Sequence, residues 1–305
     1  MSKKISYGGQ AVMEGVMMQG PGGKAIACRK ENGEIALKVT CQSSWKDRFP
    51  FMKWPILRGF FSFCESMLNG IQDLTWSAAQ IGESDEEKLT TKEIVFAVGV
   101  ALILVMVFFV GVPVLLATYA RPYIGDFGRS LLEGILRAGF FIGYVVLISR
   151  MEDIQRLFSY HGAEHKTIAT YEAGEIMTVE NARKYSTIHV RCGTSFILMT
   201  MILMVVIFTF VGQTGAWSRI GIKLLMMPLV AGLAYELFRL PLRFPNSRLV
   251  HILVTPGLWM QKLTTKEPDD SQLAVAIAAM TNVPGFPSSQ IEVKDQEKDD
   301  HQAEA

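Results

Sequence analysis

Charge is missing from two long stretches of the chain. Ile94 to Ala120 and Ser195 to Trp217 contain no Asp, Glu, Lys or Arg. Each exceeds the ~20 residues that cross a hydrocarbon core at 1.5 Å rise per residue, so both are expected to span a membrane. A soluble core would scatter its apolar residues along the chain instead of gathering them into blocks. An excess of one sign is also missing. The net charge is +1, which gives no ground for sequence-specific nucleic-acid binding. No apolar h-region precedes the Gly-rich segment that starts at Gly8, so no cleaved signal peptide is expected. That segment lacks GxxxxGK[ST], which weakens any phosphate-loop reading. Cysteine is scarce, with Cys28, Cys41, Cys64 and Cys192 making up the full set.

Two further apolar stretches carry charge. Leu131 to Ser149 contains Glu133 and Arg137, and Leu224 to Leu242 contains Glu236 and Arg239. With them the count is about four transmembrane helices. Each acid and base stands three or four residues apart, a spacing that lets them pair and lowers the cost of burial. Pairing is the expected role, with a polar pocket or a transport path as the other readings. Lys and Arg crowd the segments before Lys92, from Arg150 to Arg191 and from Arg239 to Lys266, while the connections between these hold few. The positive-inside rule then puts both termini and the central loop in the cytoplasm, and the protein in a bacterial cytoplasmic membrane. All four thiols face a reducing compartment on this topology and are expected to be free.

Residues 1–48 read as a cytoplasmic Gly-rich motif followed by a β-hairpin. The glycines from Gly8 to Gly23 suit tight turns better than a helix. Asn32-Gly33 fits a type I′ turn, which pairs Cys28 with Leu37 and Ile26 with Val39. Ile26, Cys28, Ile35, Leu37, Val39 and Cys41 then share one face. Residues 49–92 hold an aromatic, basic stretch expected to lie in the headgroup layer or re-enter it, with a cytoplasmic core helix as the alternative. They also include an acidic linker from Glu83 to Glu87 and a capping box of Thr90 with Glu93. Residues 93–149 and 195–245 carry the spans, 150–194 the central loop, and 246–284 an interfacial helix near Leu249 to Met260 with a capped helix after Asp269. Residues 285–305 are polar, charge-rich and expected to be disordered. The fold class is mainly α: a polytopic helical membrane protein with interfacial helices and a small cytoplasmic hairpin.

Three of the five histidines lie in the central loop. Met151 to Glu172 has a helical pattern ending near Gly174, apparently as an extension of the second span. At 100° per residue His161 and His165 are about 40° apart, with Glu164 and Glu172 on the same face. Two imidazoles at i and i+4 hold one divalent ion, Zn²⁺ by preference, and an adjacent carboxylate serves as base. The string His161-Gly-Ala-Glu164-His165 has the inverted zincin form. His189 is the expected third ligand, with Glu172, Cys192 or Glu14 as substitutes. Glu164 is the expected base, and Arg191 a substrate anchor or a positive-inside anchor. Against this stands a polar helix face with hydrogen-bonded histidines. Glu14 reads equally as a ligand, an acid or a salt-bridge partner.

With these residues assembled, the chain resembles the YqhQ-like family of bacterial membrane proteins. The resemblance rests on Gly8-Gly-Gln-Ala-Val-Met-Glu-Gly-Val-Met-Met, Tyr160-His-Gly-Ala-Glu-His-Lys, Thr178-Val-Glu-Asn, His189-Val-Arg-Cys-Gly-Thr-Ser and Thr264-Thr-Lys-Glu-Pro-Asp-Asp. It covers nearly the whole chain, with Ala274 standing where the family is expected to carry an acidic residue. The family is of unknown function and is sometimes described as predicted metal-dependent enzymes, so the resemblance implies metal dependence; the His161, His165, His189 and Glu164 set makes hydrolysis at a cytoplasm-facing site the leading expectation. The alternatives are a scaffold or membrane-protein biogenesis factor that docks a partner, and a transporter. Membrane lipid is the expected partner, with a membrane or ribosome-associated protein after it.

Overall fold

The computed structural model describes residues 6–41, 45, 49–81, 91–210, 215–244 and 246–291. Its first four elements are strands β1 (Gly8–Val12), β2 (Gly15–Gly20), β3 (Gly23–Arg29) and β4 (Ile35–Thr40), in an antiparallel sheet of order β1-β2-β3-β4. The Gly-rich segment is therefore two strands and their turns. The hairpin of β3 and β4 is shifted by one residue from the expected register: Cys28 pairs with Ala36 and Ile26 with Lys38. The cause is the turn. Gly33 N–H bonds the Lys30 carbonyl at 3.0 Å, Lys30 N–H bonds the Glu34 carbonyl at 2.9 Å, and Gly33 alone is left-handed at φ 86°. That is a three-residue loop rather than a two-residue type I′ turn. A one-residue slip exchanges faces, so Ile35, Leu37 and Val39 lie opposite to Ile26 and Cys28 and remain exposed.

Both faces of the sheet centre are covered. Helix α1 (Leu57–Ile81) covers one face, where Leu74 and Trp76 pack on Val12, Met17 and Ile26. On that face Lys24 and Asp73, both buried, form an ion pair at 2.5 Å. The other face carries Val16, Met18, Ala25 and Ala27 against Tyr160, Ala163, Leu273 and Ala276. These come from α4 (Glu152–Ala173) and α10 (Asp270–Thr281), the latter opened by the Asp269–Gln272 capping box.

The apolar part begins with α2 (Thr91–Met106), a π turn over Val107–Gly111, and α3 (Val112–Ile148). The chain doubles back inside α3 at Gly125, which has φ 68° and ψ −174°. Phe109 then stacks on Phe141 and Tyr144, and Phe108 on Phe140. Next come α5 (Val179–Arg183), α6 (Gly193–Thr209), α7 (Ala216–Phe238), α8 (Leu240–Arg243) and α9 (Arg248–Thr264). Phe96–Ile148 and Trp217–Phe238 are long and apolar enough to cross a membrane, and Gly193–Thr209 is a shorter apolar helix. Large side chains such as Phe96, Ile103 and Leu225 are exposed on these helices.

Glu133 pairs with Arg137 at 2.7 Å as its spacing suggests, and also with Arg219 at 3.2 Å and with Lys223. Glu236, by contrast, bonds Arg58 in bidentate fashion rather than pairing with Arg239. Close approach of α1 to α7 brings them together: a Cβ on Gly59 would lie 3.0 Å from Gly232 Cα. Helix α1 thus spans from the apolar bundle at its start to the sheet at its end.

Three other sequence readings change. Helix α4 does not continue α3, because Ser149–Met151 breaks the run and Met151 is extended at ψ 135°. Helix α9 runs straight through Pro256, beyond the short segment expected. Residues 285–291 dock on the fold, with the Gln290 amide donating to the carbonyls of Tyr171 and Glu175. The Glu83–Glu87 linker, the Thr90 cap and residues 292–305 lie outside the described residues.

Candidate metal centre and its cavity

Helix α4 presents His161, Glu164 and His165 because it lies unusually close to the segment after α9. Lys266 N–H bonds the Phe158 carbonyl at 2.9 Å. A side chain at Gly162 would run into the Lys266 carbonyl oxygen. This contact sets the Thr264 carbonyl 2.8 Å from His161 Nδ1, while the Thr187 carbonyl lies 2.5 Å from His165 Nδ1. A carbonyl accepts only, so both Nδ1 atoms carry hydrogen, which leaves Nε2 as the ligating atom of each ring in its neutral form.

Those nitrogens meet Cys192. His161 Nε2 is 3.2 Å from Cys192 Sγ, and one ligand atom each from His161, His165 and Cys192 lies within 4.8 Å of the others. Cys192 sits immediately before α6, held by the Thr194 hydroxyl at 3.1 Å. Burial, with the charge of His161 adding to it, lowers the His165 pKa to about 3, so this imidazole is neutral, the form that ligates. Burial pushes the Cys192 thiol up, opposed by its Thr194 hydrogen bond. Glu164 is 6% exposed, and burial raises its pKa to about 8 against the pull of His161. It lies across Gly9 of β1, where an added Cβ would be 2.8 Å from Glu164 Cγ.

The other expected residues are not in the cluster, although His189 and Arg191 line the same cavity. His189 Nε2 bonds Glu172 at 3.1 Å, and Glu172 also pairs with Arg191, making a separate polar chain. The ring centre of His189 is 5.7 Å from that of His165. Cys192 thus occupies the place expected of His189. The reason is tertiary: Gln261, fully buried on α9, accepts from His189 N–H and donates to its carbonyl, both at 2.8 Å, and also donates to Ser195 Oγ at 2.9 Å. This grip sets how residues 189–195 enter α6. Glu14 is not part of the cluster either. At the β1–β2 turn it bonds Arg156 at 2.5 Å and Tyr160 Oη at 3.3 Å, pinning the sheet to α4. Gln261 and the carbonyls of Thr187 and Thr264 were not singled out from the sequence for the site; the only trace of them is the Thr264-Thr-Lys motif.

The cluster opens into a cavity of about 820 Å³. Gly8 to Ala11 of β1, α1, α4, the start of α6 and the end of α7 line it. Its lining is mixed: His161, Glu164, His165 and Arg191 supply polar groups, and Phe63, Met67, Phe196 and Phe238 an apolar part, in which Phe196 packs on both Phe63 and Phe238.

The fold and site define a class: a mainly helical protein in which apolar helices join a small sheet-and-helix unit that carries a buried His₂Cys cluster. The chain belongs to the family described as "Protein of unknown function (DUF1385)", whose model matches residues 54–285. It is also 33% identical over 292 residues to the uncharacterized protein YqhQ of Bacillus subtilis (strain 168), covering 91% of this chain and 92% of that protein. No solved structure matches.

Proposed function

We propose that the protein is a multi-pass membrane hydrolase that uses one divalent metal ion at a cytoplasm-facing site. The observation that carries this reading is the convergence of one ligand atom each from His161, His165 and Cys192, with both imidazoles fixed through Nδ1 by backbone carbonyls. Two imidazoles and a thiolate suit Zn²⁺, and three protein donors are the number that catalytic zinc sites use. When bound there, the ion supplies Lewis acidity. Glu164 faces the same cavity and holds or moves the proton. Arg191 lines the cavity beside its partner Glu172 and, by exchanging that partner, serves as an anchor for a negatively charged substrate group. The four passes are the two arms that meet at Gly125, α6 and α7, with the basic segments on the cytoplasmic side. Transport is not favoured, since Glu133 and Glu236 are both engaged in ion pairs.

Elemental analysis of detergent-purified protein tests the centre. One Zn per chain is expected, with His161→Ala plus His165→Ala removing it. Glu164→Gln is expected to keep the metal. In cobalt-loaded protein, Cys192→Ser should remove the thiolate-to-cobalt charge-transfer band. Metal content that is absent, or unchanged by the double substitution, would overturn the reading.

A further inference from the structure

The border of the cavity formed by β1 is an open sheet edge. Pairing across the two-residue turn makes Val12↔Gly15, Gln10↔Met17 and Gly8↔Gln19 the hydrogen-bonded pairs. The N–H and C=O groups of Gly9 and Ala11 therefore point away from β2, along the edge that lines the cavity. No backbone or side-chain hydrogen bond to them occurs among the described residues. They are nonetheless only partly exposed, at the mouth of a cavity. Space is open at Gly8, where an added Cβ would meet nothing within 4 Å. Glu164 fills the space beside Gly9, which puts its carboxyl group against the edge strand.

We propose that the substrate is an extended polypeptide segment that pairs with the outer edge of β1. This deepens the hydrolase reading and rests on it. Two donors and two acceptors in a row at strand spacing match the alternation of a peptide main chain. An acyl chain has nothing to offer them, and backbone groups left unpaired after desolvation are costly. The pairing runs the segment past the His₂Cys cluster, with its side chains alternating between the α1 wall and the α4 wall. Phe63, Met67 and Phe196 receive apolar side chains, as suits a segment drawn from a membrane protein. Hydrolysis adds one water across the scissile amide. The water oxygen forms the new C–O bond, the C–N bond breaks, and Glu164 passes a water proton to the departing amine nitrogen.

Amide exchange read by mass spectrometry tests the pairing on the full chain in nanodiscs. The probe is a capped, unstructured eight-residue Thr/Val/Lys peptide, compared with the same peptide N-methylated at alternate residues. In the free protein Gly9 and Ala11 should exchange fast and Gln10 slowly. Saturating peptide should slow Gly9 and Ala11 at least tenfold, and the N-methylated peptide should not. Ala11→Pro removes one outward donor without touching the β1–β2 ladder, and should weaken peptide binding about fivefold, the worth of one hydrogen bond. The His161→Ala, His165→Ala chain should keep the protection while losing metal. Protection in a wild type that binds no metal would sink the hydrolase reading and leave the edge site standing. A metal-loaded wild type in which the peptide protects neither amide would overturn the edge site alone. Protection by phosphatidylglycerol vesicles in place of the peptide would overturn it in favour of a lipid substrate.

Discussion

Gly162 decides how closely α4 can approach the strand of chain that follows α9, and therefore whether the Thr264 carbonyl reaches His161. A methyl group there meets the backbone oxygen of Lys266, which has no freedom to rotate away. Gly162→Ala is expected to cost ~1–3 kcal/mol through overpacking and to lower bound metal with it. Thermal unfolding and elemental analysis of the same sample check both. At this scale the sequence was informative about spacing and uninformative about direction. The helical period put His161, Glu164 and His165 on one face, and they share one cavity. It favoured His189 over Cys192 as third ligand, since both precede α6. Only the buried Gln261, 72 residues away from His189, turns one toward Glu172 and leaves the other beside His161.

Helix α1 is the element that ties the two parts of the molecule. One end meets α7 through Arg58–Glu236, the other meets the sheet through Lys24–Asp73. The second pair is buried, so removing one partner leaves a charge without compensation. Lys24→Ala is expected to cost ~3–5 kcal/mol, whereas Lys24→Met combined with Asp73→Leu should fall near wild type. Limited proteolysis of residues before Leu57, followed across temperature, separates the two outcomes. These ties were not legible in the sequence: Lys24 and Asp73 are 49 positions apart, Arg58 and Glu236 178. Local pairing rules pointed instead to Arg239. Strands β1 and β2 escaped notice for another reason. Their glycines suppress strand propensity, and burial on both faces at β2 and β3 removes the alternation that marks a half-exposed strand.

The first apolar block, in contrast, was plain, because a membrane-length run without charge needs no tertiary context to be read; the second, expected over Ser195 to Trp217, is divided, with α6 ending at Thr209 and Trp217 already in α7. The reversal at Gly125 gives them a testable arrangement. Asp126→Cys, at the tip of the hairpin, should react with a membrane-impermeant maleimide in intact spheroplasts. Cys41, exposed beside the sheet, should react only after lysis. Labelling of both from the same side would overturn the four-pass arrangement.

The cluster is fastened to the apolar bundle twice. His161 and His165 follow α3 after a link of only Ser149–Met151, and Cys192 is the residue from which α6 starts. Such a double fastening fixes the height of the cluster against the apolar helices. On the proposed hydrolase reading, reach then becomes a selection rule in itself: bonds at one height above those helices are presented to the cluster, and chemically identical bonds a few residues further along pass it by.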